Sequence, residues 1–173
     1  SYSGTGLTKL SQQYHEIIRE HICRGAYKHA KRPILINNWE ATYFDFNEEK
    51  ILKIAEQAQK LGIEMLVLDD GWFGKREDDN SGLGDWFVNE KKMNGSMAQL
   101  AEKIHKMGMK FGLWFEPEMI SEDSDLYRAH PDWAFAIPGR VPNHSRNQLV
   151  LDMTREDVRE YLLERLTTIV HDA

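Results

Sequence analysis

Ile63-Glu64-Met65-Leu66-Val67-Leu68-Asp69-Asp70-Gly71-Trp72 passes from an apolar run straight into two acids, a glycine and a tryptophan. A short apolar run bounded by turn residues reads as a buried strand, so the acids mark its exit. The same order of residue types recurs on either side. Upstream, Pro33 leads into Ile34, Leu35 and Ile36, which exit into Asn37, Asn38 and Trp39; downstream, Met109 to Phe115 exits into Glu116, Pro117 and Glu118.

Helical patterns separate these strands. Asn47 is a candidate cap with Glu48 and Glu49 near the positive end of the helix dipole; Ile51, Ile54, Ala55, Ala58 and Leu61 share one face, and Gly62 offers the stop. Ser96 and Gln99 have capping-box spacing ahead of Leu100, Ala101, Ile104 and Met107, with Gly108 as the stop. The joints Lys60-Leu61-Gly62-Ile63 and Lys106-Met107-Gly108-Met109 echo each other. After a loop holding Pro131, Pro138 and Pro142 come the run Leu149-Val150-Leu151 and a capped helix from Thr154 through Val158, Tyr161, Leu162, Leu166 and Ile169. Strict alternation of strand and helix implies a parallel sheet with right-handed crossovers. Periodicity does not separate an open doubly wound sheet from a barrel. However, no Gly-rich phosphate loop follows the first strand, which argues against a nucleotide-binding sheet.

Ahead of the repeat, Gly4, Gly6 and several hydroxyls predict a flexible lead-in over residues 1–10. Tyr14, Ile17, Ile18 and Ile22 predict a helix from Ser11 to Arg24, packed outside the repeat and stopped by Gly25. The chain is thus divided into a lead-in with helix, 1–30, and the βα region, 31–173. Its 173 residues fall short of the about 250 of a complete barrel, and Ser1 stands where a natural start has Met, so the sequence is read as a truncated segment of a longer chain.

A formal charge of -6 gives no electrostatic reason to bind nucleic acid or an anionic membrane, and no apolar stretch is long enough to span a bilayer. A neutral or polar small substrate is the expected partner. Cys23 is the only cysteine, so no intrachain disulfide can form, and a cytoplasmic location is the default expectation.

If the strands lie parallel, Trp39, Asp69, Asp70, Trp72, Trp114 and Glu116 converge at their C-terminal ends, where barrel enzymes build their sites. Carboxylates beside flat aromatic faces suit a sugar: the acids accept from hydroxyls and a ring covers the C–H face. Each residue also has a plainer reading. Asp69 and Asp70 serve equally as turn formers before Gly71, Trp39 and Trp114 as core or rim aromatics, and Arg146 as a surface arginine rather than a donor fork for substrate. Neighbours in a strand point in opposite directions, so Asp69 and Asp70 suit anchoring better than joint service as a catalytic pair about 5 to 5.5 Å apart. Glu77, Asp79, Ser81 and Gly82 imitate a calcium loop, but Val88 occupies the position of its bidentate glutamate; the histidines lack zinc spacing.

Four strings, Asn37-Asn38-Trp39-Glu40-Ala41, Leu68-Asp69-Asp70-Gly71-Trp72-Phe73, Leu113-Trp114-Phe115-Glu116-Pro117-Glu118-Met119 and Ser145-Arg146-Asn147-Gln148-Leu149, together resemble the melibiase family, glycoside hydrolase family 36. The resemblance covers the chain from about Arg32 onward. It implies a partial TIM (β/α)8 barrel, the first three to four βα units preceded by an N-terminal helix, from a retaining α-galactosidase that hydrolyses terminal α-galactosides such as melibiose and raffinose. It also implies no metal or organic cofactor. By the same resemblance Trp39, Asp69, Asp70 and Arg146 line the galactose subsite, with Trp114 and Glu116 as pocket wall or support. The family's nucleophile, in a Lys-Trp-Asp motif on the next strand, and its later acid/base find no match here, so no catalytic residue is expected within this chain and the segment is expected to be inactive alone. α-N-Acetylgalactosaminidase, galactosyl transferase and a non-catalytic carbohydrate-binding half-barrel remain alternatives. An open sheet edge further predicts a homo-oligomer.

Overall fold

The computed structural model describes residues 4–172. The chain divides into two compact units, Ser1–Pro33 and Ile34–Ala173. In the first, α1 (Leu7–Ile17) continues into one π-helical turn, Ile18–Ile22. The helix therefore starts earlier than Ser11 and takes Leu7 to Leu10 from the expected lead-in, because Gly6, at φ +93°, provides the break and Leu7 and Leu10 are in phase with Tyr14 and Ile17. Residues 1–3 of that lead-in lie outside the described residues.

The second unit runs β1 (Leu35–Asn37), α2 (Trp39–Thr42), α3 (Glu48–Lys60), β2 (Met65–Leu68), α4 (Glu90–Met93), α5 (Met97–Lys106), β3 (Lys110–Leu113), β4 (Met119–Ile120), α6 (Asp125–Ala129), β5 (Leu149–Val150) and α7 (Glu156–Asp172). Strands β1, β2 and β3 form a parallel sheet in that order. Asn37 stands beside Val67, Val67 beside Gly112, and Leu68 beside Leu113. Three strands in this register end at one edge, so the residues that follow them emerge together.

Local chemistry accounts for the helices. Asn47 Oδ1 accepts from the Lys50 N–H at 3.0 Å to start α3. Ser96 Oγ accepts from the Gln99 N–H at 3.3 Å, while the Ser96 N–H donates to Gln99 Oε1 at 3.1 Å, closing a capping box on α5. Gly62 and Gly108, at φ +79° and +77°, end these two helices in a conformation that a side chain would resist. The core lies between sheet and helices: Leu66 and Leu68 of β2 are buried with Ile51, Ala55 and Ala58 of α3, Leu100 and Ile104 of α5, and Val158, Leu162 and Ile169 of α7. At about 1.5–3 kcal/mol for each large aliphatic side chain removed from water, this one cluster dominates the stability of the unit.

The Leu149-Val150 run departs from strict βα alternation. It pairs antiparallel with β4, Met119 beside Val150 and Ile120 beside Leu149, in a two-stranded sheet separate from β1-β2-β3. Its other flank is also taken, since the Phe135 N–H donates to Val150 O at 2.7 Å and Ala134 bridges Leu151. With backbone partners on both sides the run closes a loop layer and adds no strand to the parallel sheet. Helix α7 starts at Glu156, after a turn in which Asp152 Oδ1 accepts from the backbone N–H and hydroxyl of Thr154 at 3.1 and 2.6 Å.

Candidate functional site

The polar residues at the sheet edge are tied to one another across strands. Asn37 Nδ2, at the end of β1, donates to Asp69 Oδ2 at 2.5 Å, and Asn38 Oδ1 accepts from the Asp69 N–H at 2.8 Å. The tip of β1 thereby orients the half-buried first acid at the tip of β2. Asp70 turns the other way, as alternation along a strand requires. It is 2% exposed and bound by Arg76, whose Nε reaches Oδ1 at 2.9 Å and whose Nη2 reaches Oδ2 at 2.8 Å. This fork-to-fork pairing is the strong form of a charge-assisted contact.

Arg76 sits at the hub of the site. Its Nη1 donates to Ser81 O at 3.0 Å, its guanidinium lies 5.5 Å from the centre of the Phe44 ring, and its Nη2 stands 3.6 Å from Asp79 Oδ1. The same Asp79 oxygen accepts from Arg146 Nη2 at 2.8 Å. Phe44 in turn stands perpendicular to the partly exposed Trp39 ring, with the ring centroids 5.0 Å apart. Trp39 and Asp70 therefore touch the hub directly or through one ring, and Arg146 through one carboxylate.

Glu116 feels Arg146, Glu118, Arg76 and Asp70 electrostatically, and burial, the largest influence, pushes its carboxyl above the usual range. Its Oε2 is buried without a hydrogen-bond partner. Such an oxygen is poised to accept from a donor or to carry a proton itself. Trp114 packs among aromatic rings. Its ring packs on Phe73 and Trp86, with centroids 6.5 Å away in each case. Trp72, expected to face the site, is instead fully buried, with its indole N–H donating to Trp114 O at 3.0 Å. Asp70-Gly71-Trp72 thus sends one side chain to the ionic hub and the next large one to the aromatic core.

Lys92 adds a second staple that the sequence pattern left unmarked. Its Nζ donates to Phe44 O at 2.8 Å and Gly71 O at 2.9 Å, and lies 3.9 Å from the centre of the Phe46 ring. Burial holds its ammonium below the usual lysine range. Arg76 and Lys92 carry no motif that marks them in the sequence, and Asp79 entered it only as part of a calcium-like loop: Lys92 and Asp79 act on partners 21 to 67 positions away, while Arg76 meets Asp70 six positions off through a turn that no spacing rule announces. The one available signal was the acidic loop around Asp79, whose nearby cations are Arg76 and Arg146. Among the described residues no cluster of three His, Cys, Asp or Glu side chains is placed to hold a metal ion.

The melibiase family profile matches residues 1–173. The chain belongs to the melibiase family. This melibiase-family chain is 59% identical over 170 residues to the bifunctional alpha-galactosidase/sucrose kinase AgaSK of Mediterraneibacter gnavus, covering 98% of itself and 18% of that protein. It is 55% identical over 172 residues to alpha-galactosidase AgaA of Geobacillus stearothermophilus, covering 99% of itself and 24% of AgaA. The crystal structure of the GH36 alpha-galactosidase AgaB from the same organism superposes with a TM-score of 0.91 at 55% identity, over 99% of this chain and 24% of AgaB. An AgaA variant crystallised with raffinose gives 0.91 at 54% identity, over 99% and 24% of the two chains. The melibiase-family chain thus spans about a quarter or less of these relatives, and its mixed α/β architecture with a parallel sheet is similar to theirs. Among the described residues no helix is long and apolar enough to cross a membrane.

Proposed function

We propose that these residues form part of a (β/α)8 catalytic domain whose whole protein is a retaining α-galactosidase, acting on terminal α-galactosides of the melibiose and raffinose type. In this reading Asp69 and Asp70 accept from galactose hydroxyls, Arg146 donates, Trp39 covers the C–H face, and Trp114 and Glu116 support the wall. The observation that carries it is the shared sheet edge, where β1 orients Asp69 and one arginine hub gathers Asp70, Asp79 and the approach to Arg146. The AgaA complexes with raffinose and with stachyose support the substrate class.

The reacting carboxylates of the whole protein are proposed to lie outside this chain. Asp69 and Asp70 diverge, and Asp70 is neutralised by Arg76, so neither geometry nor charge suits them to a retaining pair. Within the same proposal the protein is cytoplasmic, uses no cofactor, and self-associates through unpaired sheet edge.

Two measurements on the chain test this reading. Calorimetric titration is expected to give galactose binding that is lost in Trp39→Ala, and incubation with an aryl α-galactoside is expected to give no turnover. Turnover that disappears in Asp69→Asn or Glu116→Gln would place a reacting carboxylate here and overturn the assignment.

A further inference from the structure

Arg146 and Asn147 are the two central residues of a tight hairpin. The Ser145 N–H donates to Gln148 O at 3.1 Å, and the Gln148 N–H returns to Ser145 O at 3.0 Å. Both central residues have positive φ, +52° and +61°. Two such residues make the mirror-image turn that favours Asn-Gly, and an arginine in its first position is held against its own preference. Backbone of this kind persists where the surroundings over-determine it.

Here the surroundings are one loop, residues 75–82. Arg146 Nη2 donates to Asp79 Oδ1 at 2.8 Å and Asn147 Nδ2 to Asn80 Oδ1 at 2.9 Å. The loop is itself folded around Arg76: Ser81 Oγ donates to Lys75 O at 2.9 Å, and Gly82, at φ +82°, approaches so closely that a Cβ would stand 2.9 Å from Arg76 N. A single oxygen, Asp79 Oδ1, therefore lies between the guanidinium of Arg146 and that of Arg76, 2.8 and 3.6 Å away.

We propose that Asp79 is a positioning residue that couples the orientation of Arg146 to the buried Asp70–Arg76 pair, so that groups from distant parts of the chain are set as one unit. The purpose of the coupling rests on the galactose-subsite reading; its existence does not. A carboxylate between two guanidinium groups holds both in place before a ligand arrives, and a group held in advance loses less freedom on binding. Glu116, which also feels both arginines, gains a fixed field from the same arrangement. Asp79 itself need touch no substrate.

A cycle of variants in the isotope-labelled chain tests the coupling, read at the side-chain Nε–H resonance of Arg76. Arg146→Gln is expected to shift that resonance in the native background and to leave it unmoved when Asp79→Ala is already present. The indole N–H resonance of buried Trp72 reports whether the fold is intact, and Asp79→Asn carries the same cycle if Asp79→Ala fails to fold. Galactose titrated into the chain is expected to bind about two- to fivefold more weakly in Asp79→Ala, the scale of one half-exposed ion pair. Asp79→Asn, which keeps the accepting oxygen, is expected to recover part of that loss. An Arg76 response of equal size in both backgrounds, or unchanged galactose affinity in Asp79→Ala, overturns the proposal. A native chain that binds no galactose overturns the subsite reading instead, and the resonance cycle then decides the coupling by itself.

Discussion

Replacing Asp70 by asparagine removes the charge that balances a fully buried arginine. The side chains of Arg76 and Asp70 are 0% and 3% exposed, and three contacts at 2.8 to 3.2 Å join them. Breaking a buried pair from one side costs about 3–5 kcal/mol, chiefly because the surviving charge stays buried. Arg76 keeps Ser81 O at 3.0 Å and the half-exposed Asp79 at 3.6 Å, and asparagine retains one accepting oxygen. These partial compensations place the loss near the lower end, ~3 kcal/mol, or a fall in melting temperature of about 6–12 °C for a chain of this size. Urea unfolding followed by tryptophan fluorescence at pH 7 measures it. The pair Asp70→Leu with Arg76→Met, which removes both charges, is expected to recover most of the loss, because apolar replacements of a buried ion pair are often neutral. A loss below ~1 kcal/mol in Asp70→Asn, or a double variant no better than the single one, would refute the claim that an uncompensated buried charge governs this site.

Other perturbations follow from the same geometry. Burial raises the Glu116 carboxyl in the folded chain, so its protonated form is favoured by folding: that contribution is fully present below the unfolded value near 4.5 and is lost as pH rises through the folded one. Glu116→Gln is therefore expected to raise the urea midpoint relative to the native chain at pH 7 and to leave it nearly unchanged at pH 3.5, within the scatter of replicate curves. Gly82→Ala, which places a Cβ 2.9 Å from Arg76 N at φ +82°, is expected to cost roughly 1–3 kcal/mol in thermal unfolding, whereas an exposed alanine substitution elsewhere leaves the curve in place. Burial, followed by the nearby Asp85, pushes the Tyr161 phenol up to about 12, and its O–H donates to Gly84 O at 2.9 Å. Tyr161→Phe is accordingly expected to leave the ultraviolet tyrosinate titration unchanged below about pH 11 and to remove amplitude above it.

Features that depend on near neighbours in the chain were legible in the sequence. Asn47, the Ser96 and Gln99 box, Gly62 and Gly108 each act within a few residues of themselves, and backbone geometry enforces their roles wherever the helix later packs. The three parallel strands were legible too, because apolar runs that exit into polar residues between amphipathic helices admit few other arrangements. The antiparallel pairing of Leu149–Val150 with Met119–Ile120 was not, since a two-residue run carries no sign of direction.

The amino-acid order by itself determined the helix caps, the strand exits and the family, because these reside in short-range chemistry and in strings of adjacent residues. Tertiary structure alone decided the pairings between distant parts of the chain. Asp79 and Arg146 are 67 positions apart, as are Asn80 and Asn147. Lys92 joins carbonyls 48 and 21 positions away. Coulomb and hydrogen-bond energies depend on separation in space and on burial, quantities that the linear sequence does not contain until the chain has closed on itself.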